Sequence, residues 1–521
     1  MIIKTQADEL QNYLTDASNL PGGNAEKLFV PESAAEISEI LKEANEKKTS
    51  VTVSGARTGT VGGAIPFGGY LISLEKFNHI KEINENSAVV ESGVLLTDFQ
   101  KAVDQKNLFY PPDPTEWSCQ IGGTVATNAS GAKSFKYGAT RKYVERLEVV
   151  LPSGELLNLR RGENFAKDGF VELETKNGNK IKAKVPTYLQ PDTRKNTSGY
   201  FSAESLDVID LFIGSEGTLG VITEIELKLL PKPQGFLSGI VFFKDEKGLM
   251  NFVNEAREIS FATRKRNAVV PTAVRYASRA RSGGQDTRQY SRRDDGATAI
   301  DATVLEYFDE NSLNFIKGKF PETPANMAGA IFFEQETDEE NEDELFEQWN
   351  ALLEKHNADV DKSWFTTTEQ DLVKMREFRH ALPVSVNERI VRYKQRKIGT
   401  DMAVPDDKFA SFLKFYKQKL NASGLDYVIF GHIGDNHLHA NLLPKDETEA
   451  RKAKHLYGRF IAQAIMLGGT ISAEHGIGKL KRNYLYVMYG ERFLSEMAQL
   501  KRTFDPNRIL GRGNVFDEKF L

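Results

Sequence analysis

The stretch Gly431-His432-Ile433-Gly434-Asp435-Asn436-His437-Leu438-His439 constrains this chain more than any other, because it carries three of its eight histidines between two apolar runs. Tyr427-Val428-Ile429-Phe430 precedes it and Ala440-Asn441-Leu442-Leu443 follows. Apolar runs on either side of Asp435-Asn436 predict a β-hairpin with those two residues as the turn, since Asp and Asn tolerate the positive φ such turns need. In that register His432 stands opposite His439, Cβ atoms roughly 5 Å apart on one face. Two imidazoles so placed can share a cation, and by strand parity His437 faces the same side as His439. One histidine taken alone is commonly a hydrogen-bonded structural residue. Three so close together, with Glu474-His475 downstream, instead suit a metal or proton-transfer site.

A chain of 521 residues exceeds one core, so two or three domains are expected. A net charge of -5 gives no general attraction to nucleic acid or to an anionic membrane. Cys119 is the only cysteine, which excludes disulfides within the chain, thiolate zinc clusters and iron–sulfur clusters held by it. Electrons leaving any redox cofactor must then pass directly to an external acceptor. Met1-Ile2-Ile3-Lys4 does not open a signal peptide, and no apolar run of about 18 residues predicts a transmembrane segment. The expected location is cytoplasmic.

Pro31-Glu32-Ser33 followed by Ala34 to Ala44 predicts a helix capped near Ser33 within residues 31–48. The run Val51-Thr52-Val53 then opens into Ser54-Gly55-Ala56-Arg57-Thr58-Gly59-Thr60-Val61-Gly62-Gly63. A strand entering so many small residues suits a backbone nest that points N–H groups at an anion, a flexible turn being the alternative. The spacing matches neither the dinucleotide fingerprint nor the phosphate loop. A second block, Tyr110 to Thr115 and then Gln120 to Gly131, lacks bulky side chains and would let a large planar ligand lie against the backbone. A third, Ile213 to Thr223, precedes the amphipathic strand Glu224–Leu230, which Pro231-Lys232-Pro233 stops at a domain boundary.

On these three blocks, on Gly431–His439, on Gly469–Gly478 and on Phe504-Asp505-Pro506, all in one order, the chain resembles the FAD-linked D-2-hydroxyacid dehydrogenases. These form a branch of the vanillyl-alcohol oxidase / p-cresol methylhydroxylase flavoprotein superfamily that includes D-lactate dehydrogenase, glycolate oxidase FAD subunit and D-2-hydroxyglutarate dehydrogenase types. The resemblance implies an α+β protein in three parts. A two-part FAD-binding domain of the p-cresol methylhydroxylase type spans 1–235, an antiparallel-sheet substrate-binding cap spans 236–450, and a helical segment, 451–521, completes the active site and packs on the FAD domain. Strand-like Gly239–Phe243 and Ala330–Phe333 and helix-like Leu345–Lys355 agree with that cap.

By the same resemblance Ser54, Gly55, Ala56, Arg57, Thr58 and Gly59 cradle the FAD pyrophosphate. Pro112, Asp113, Gly122, Gly123, Thr124, Thr127, Asn128 and Gly131 wall the flavin, and Glu216, Gly220 and Ile222 make a further FAD contact. The first loop has no histidine, so FAD is expected to be non-covalent, and Cys119 reads as a buried, inert thiol. The family sequence Asn-Pro-Gly-Lys near the end is here Gly511-Arg512-Gly513-Asn514, so Asn514 either replaces the family asparagine near the flavin or that contact is lost.

The positions matching His432, His439 and Glu474 hold a divalent metal in the family, for which two imidazoles and a carboxylate suit Zn²⁺ with open coordination. The one matching His475 is the general base, and an imidazole with a pKa of about 6.5 suits that step. Arg379, followed by Ala381-Leu382-Pro383, matches the arginine that anchors the substrate carboxylate through parallel donors. The family lysine two residues before Asp401 is here Gly399, with Lys397 or Lys394 as substitutes. His437 falls where the family more often has asparagine and reads as supporting the ligands or touching substrate. The implied reaction is oxidation of a 2-hydroxy acid to the 2-oxo acid, electrons leaving to an electron-transfer flavoprotein, cytochrome or quinone. Alternatives are a metal-free superfamily oxidase using O₂ on another alcohol or sugar, an alkyl-dihydroxyacetone-phosphate-synthase-like transferase, and a non-catalytic relay subunit. Residues 264–293, with nine Arg and Lys residues, read as a solvated loop, or else as a docking patch for an acidic electron-transfer partner.

Overall fold

The computed structural model describes residues 1–279 and 299–521. A first sheet contains β1 (Ile2–Lys4), β2 (Lys27–Val30), β3 (Val51–Ser54) and β4 (Tyr70–Ser73) in the order β1-β2-β4-β3. Strands β2, β4 and β3 run parallel, which requires a crossover between β2 and β3. That crossover is α1 (Ala34–Lys47), the helix predicted from its spacing: Ile37, Ile40, Leu41 and Ala44 are buried on one stripe, and the Ser33 side chain accepts from Glu36 N.

A second sheet contains β5 (Ile80–Ile83), β6 (Ser87–Glu91), β7 (Val144–Val150), β8 (Leu156–Arg160) and β9 (Val221–Lys228), in the antiparallel order β5-β6-β9-β7-β8. The strand expected over 224–230 thus starts three residues earlier, and Leu230-Pro231 turns to pair with Leu108-Phe109. The C-terminal end returns to the first sheet, where Leu510 bridges Val51 and packs with Ile509 against Ile37, Ile40 and Tyr70.

The third sheet has seven antiparallel strands, β10 (Gly235–Phe243), β11 (Ala302–Asp309), β12 (Gly329–Thr337), β13 (Trp364–Thr366), β14 (Ile398–Gly399), β15 (Tyr427–Gly431) and β16 (His439–Leu442). Their order is β13-β10-β12-β11-β15-β16-β14. Both faces of its centre are covered, which explains the nearly continuous apolar runs of β10 and β12. Ile240, Phe242, Val304, Phe308 and Phe332 meet Met375, Phe378 and Leu382 of helix Glu369–Arg392, while Val241, Phe243, Leu305, Ile331 and Phe333 join the main core with Trp349. Trp349 satisfies its indole N–H on Gln335 at 2.9 Å. The long helix Glu447–Met466 buries Leu456, Phe460 and Ile461 in the main core.

Two sequence expectations change here. Part of the arginine-rich 264–293 segment is not a solvated loop, because Arg264, Lys265, Arg266, Arg275 and Arg279 continue helix Glu246–Arg279. Arg264 donates to Asp301 and to the Phe135 and Ala302 carbonyls at 2.6 Å each, tying the seven-stranded sheet to the first half of the chain. Arg281, Arg288, Arg292 and Arg293, where a docking patch was the alternative, lie outside the described residues. The hairpin also differs. β15 and β16 do pair, but Phe430, not His432, stands opposite His439. Instead of a two-residue turn, Ile433–Asp435 coil into a 3₁₀ turn ended by Asn436 in the left-handed region, φ 54°. The His432 carbonyl accepts from both Asp435 N and His437 N, and the Asp435 carboxylate is drawn toward Ser134 Oγ (2.7 Å) and Lys195 Nζ (3.5 Å). Those two partners come from distant sequence, so local turn chemistry does not anticipate the extra coil.

Candidate active site

Although the register differs from the expected one, the longer loop still turns its imidazoles inward. His439 sits on β16, His432 closes β15, and both face Glu474, which lies in the loop after helix Glu447–Met466. His439 Nε2 is 3.1 Å from Glu474 Oε1, and His432 Nε2 is 3.4 Å from Oε2. The His432 and His439 rings are 5.7 Å apart, and His475 stacks nearly parallel on His439 at 5.3 Å. Gly431 makes this approach possible: its φ is 125°, and a Cβ there would meet the His439 ring at 3.1 Å.

Outer partners fix the ring orientations. Glu306, buried on β11, takes His432 Nδ1 at 2.5 Å and Arg379 Nε at 3.0 Å. His439 Nδ1 donates to the Thr400 carbonyl at 2.9 Å. Each imidazole therefore keeps Nε2 directed at a carboxylate, an arrangement that a shared proton or cation stabilises. Burial opposes charge on His432, but Glu306 and Glu474 outweigh it and hold its pKa above 6.5. Burial opposes charge on Glu474 too, yet Lys195, His432 and His437 keep it well below the usual carboxylate range. Lys195 Nζ lies 3.1 Å from Glu474 Oε2 and also donates to the Gly131 carbonyl.

Asp401, wholly buried, presents the Glu474-His475 turn. Its carboxylate accepts the backbone N–H of both residues, Lys481 Nζ at 2.6 Å and Ser472 Oγ at 2.7 Å. Its Oδ2 also lies 3.4 Å from His475 Nδ1. The pKa of His475, expected near its ordinary value, is instead lowered, chiefly by burial and in spite of Asp401. At neutral pH the ring is the unprotonated imidazole a base requires. Sequence reasoning missed Glu306, Lys195 and Lys481, and it used Asp401 only as a landmark. The available signal was a lone carboxylate in an apolar strand, Val304-Leu305-Glu306-Tyr307-Phe308.

The small-residue blocks lie against this centre. Ser130 Oγ donates to Glu474 at 3.3 Å, and Glu216 accepts Ile477 N (2.7 Å) and Gly478 N (2.6 Å), fixing the loop behind His475. Asn514 Nδ2 donates to the carbonyls of Gly63 and Glu216, joining the first and third blocks. Arg57 and Glu216 both hold left-handed backbone, φ 61° and 54°, a strain that concentrates at binding sites. A Cβ at Gly59 or Gly123 would stand in open space, whereas at Gly122 it would meet Ser92 at 2.5 Å and at Gly131 the Asp113 carbonyl at 1.8 Å. The blocks are thus closely packed behind and open in front, and the buried Ser92 Oγ, Tyr110 OH and Gln120 Oε1 beside them have no hydrogen-bond partner. Such a lining fits FAD.

Other residues expected near FAD also make bonds within the fold. Thr124 and Thr127 bond back to the Ile121 and Gly123 carbonyls, and Asn128 accepts from Arg141 N. Gly220 and Ile222 pack against Val149 of β7. Asp113 pairs with Lys133 at 3.3 Å; burial opposes its charge, but Lys133 and Arg379 keep it ionised. Lys397 is exposed ahead of β14 and, among the described residues, makes no ion pair with the cluster. His437 is wholly buried, 4.5 Å from the His439 ring. Cys119 is buried and its thiol is pushed up to about 12, chiefly by that burial. His455 is exposed on its helix. Among the described residues no helix is long and apolar enough to cross a membrane.

Comparison with known proteins identifies the family and the fold. Residues 25–160 match an FAD binding domain, and residues 294–515 match the C-terminal domain of FAD linked oxidases. The chain is 31% identical to a D-lactate dehydrogenase of Anaerostipes hadrus, covering 98% of this chain and 93% of that one. It is 29% identical to glycolate oxidase subunit GlcD of Bacillus subtilis (97% and 92% covered) and 27% identical to D-2-hydroxyglutarate dehydrogenase of Stutzerimonas stutzeri (99% and 96%). The fold is that of 4-ethylphenol oxidase from Gulosibacter chungangensis, with a TM-score of 0.67 at 16% identity over 100% of this chain and 95% of that one. Sequence and loop order together place the chain in the family of FAD-linked D-2-hydroxyacid dehydrogenases, with a fold like that of p-cresol methylhydroxylase.

Proposed function

We propose that this protein oxidises a D-2-hydroxy acid to the 2-oxo acid with non-covalent FAD and a divalent metal, zinc by its donor set. The observation that carries this reading is the convergence of His432, His439 and Glu474 with His475 at their side and Arg379 behind Glu306. Residues 1–235 hold FAD, 236–450 form the substrate cap, and 451–521 close the site. FAD, when bound, supplies the hydride acceptor, and the metal a Lewis acid that acidifies the substrate hydroxyl.

The chain's own residues divide the remaining work. Glu306 engages only Nε of Arg379 among the described residues, so the two terminal amino groups are left to grip a carboxylate in parallel. His475, kept neutral by burial, accepts the hydroxyl proton, and Asp401 at 3.4 Å stabilises the imidazolium that results. Lys195 and Lys481 offset the two innermost carboxylates, Glu474 and Asp401. The single thiol is buried and protonated, so reduced FAD passes its electrons outside the chain, to an electron-transfer flavoprotein, a cytochrome or a quinone. Mixing the FAD-loaded protein anaerobically with D- and L-2-hydroxy acids tests the reading. Bleaching of the flavin by D-acids is expected, and bleaching by none of them, or only by unrelated alcohols, contradicts it.

A further inference from the structure

We propose that His437 is a third imidazole ligand of the same centre, so that this chain holds its ion with His432, His437, His439 and Glu474; the proposal rests on the metal reading above. One ligand atom from each of these four residues lies within 4.8 Å of all the others. His437 is 0% exposed, which removes it from direct contact with a substrate entering from solvent. Its Nε2 lies 3.1 Å from Asp401 Oδ1, while its Nδ1, the nitrogen toward Glu474, has no hydrogen-bond partner. An orphaned buried polar group costs about 1–3 kcal/mol, and bonding to a cation relieves that cost.

The three imidazoles share one pattern, which argues for one task. Each has an outer nitrogen beside an acceptor: His432 beside Glu306 at 2.5 Å, His439 beside the Thr400 carbonyl at 2.9 Å, and His437 Nε2 beside Asp401 Oδ1 at 3.1 Å. Each has its other nitrogen toward Glu474, at 3.4 Å, 3.1 Å and 3.8 Å respectively. An outer acceptor that fixes the ring and raises its basicity is the usual companion of a metal-binding histidine. The backbone holds His437 there: its N–H donates to the His432 carbonyl at 3.2 Å, and it bridges Ala403. With four protein ligands a five- or six-coordinate ion retains one or two positions for a hydroxyl and a carboxylate oxygen. Three imidazoles also shift preference toward Zn²⁺ and its neighbours and away from Mg²⁺ and Ca²⁺.

The test uses the full FAD-loaded chain, its His437→Asn variant and Zn²⁺. Zinc X-ray absorption counts the imidazoles, and competition with a chromophoric chelator gives the dissociation constant, with the flavin spectrum as the check on folding. Three imidazoles in the parent, two in the variant and a loss of affinity of at least roughly 10-fold are expected. Two imidazoles in the parent, or a variant of unchanged affinity and spectrum, overturn the proposal while leaving the metal reading intact. A parent that binds no zinc defeats the metal reading itself. The parent's imidazole count decides the question even if the variant does not fold.

Discussion

Glu306 shows how much depends on a single buried carboxylate. It holds His432 on one oxygen and Arg379 on the other, so it orients the ring nitrogen that faces Glu474 and the Arg379 guanidinium together. Against burial, those two partners keep it charged far below the ordinary carboxylate range. Glu306→Gln should therefore weaken metal binding by roughly 10- to 100-fold and raise KM for the hydroxy acid, as measured by chelator competition and steady-state kinetics. His475→Ala should leave FAD content unchanged while slowing anaerobic flavin reduction by about 10² to 10⁴-fold, and an unimpaired half-reaction would remove His475 from the role of base. His432, His439, Glu474 and His475 were visible in the sequence because histidines and a carboxylate rarely crowd without a shared task. Glu306 and Asp401 are harder to read: a lone carboxylate in an apolar strand marks Glu306 without naming its partners, and Asp401 looks like any loop charge until the fold buries it.

At the scale of elements, the loop between β15 and β16 was read correctly as a reversal and incorrectly as a two-residue turn. Asp435-Asn436 does include the positive φ that the residue types predicted, at Asn436. The extra 3₁₀ turn exists because Asp435 is held by Ser134 and Lys195, from chain more than 200 residues away. The helix Glu246–Arg279 runs where a loop is expected beyond residue 264 for a related reason: Arg264, which looks solvated in sequence, is bound by Asp301 and by backbone carbonyls. The seven-stranded sheet carries a pH signature at Asp309, which accepts from Ser312 N at the start of helix Glu310–Ile316. Burial raises Asp309 from 3.8 to about 6. A carboxyl raised on folding binds its proton better in the folded state, so its contribution is complete below about pH 4 and is lost as pH rises through about 6. Asp309→Asn keeps an acceptor for Ser312 and should stabilise the protein at pH 8 by at most about 3 kcal/mol, with the gain vanishing near pH 4. Thermal melts of parent and variant across that range check this, and a gain independent of pH would contradict it.

For the whole molecule, the centre draws on distant parts of the chain. Ser130, Lys195 and Glu216 come from the first half, Glu306, Arg379, Asp401 and the histidine loop from the seven-stranded sheet and its connections, and Glu474-His475 from beyond it. The α+β class could be read from the family resemblance, and the three small-residue blocks from local runs that suit backbone nests and a planar ligand. The way those blocks close on the histidines could not, since it depends on long-range bonds such as Lys195 to Glu474 and Glu216 to Ile477. The central claim is that these segments build one metal-assisted site for a 2-hydroxy acid. Stopped-flow flavin reduction by a D-2-hydroxy acid, before chelation, after it and after Zn²⁺ is restored, tests it most directly. Reduction that is lost with the metal and recovered with it, at constant FAD content, is the predicted result; a chelated, metal-free protein reduced at the original rate would contradict the account.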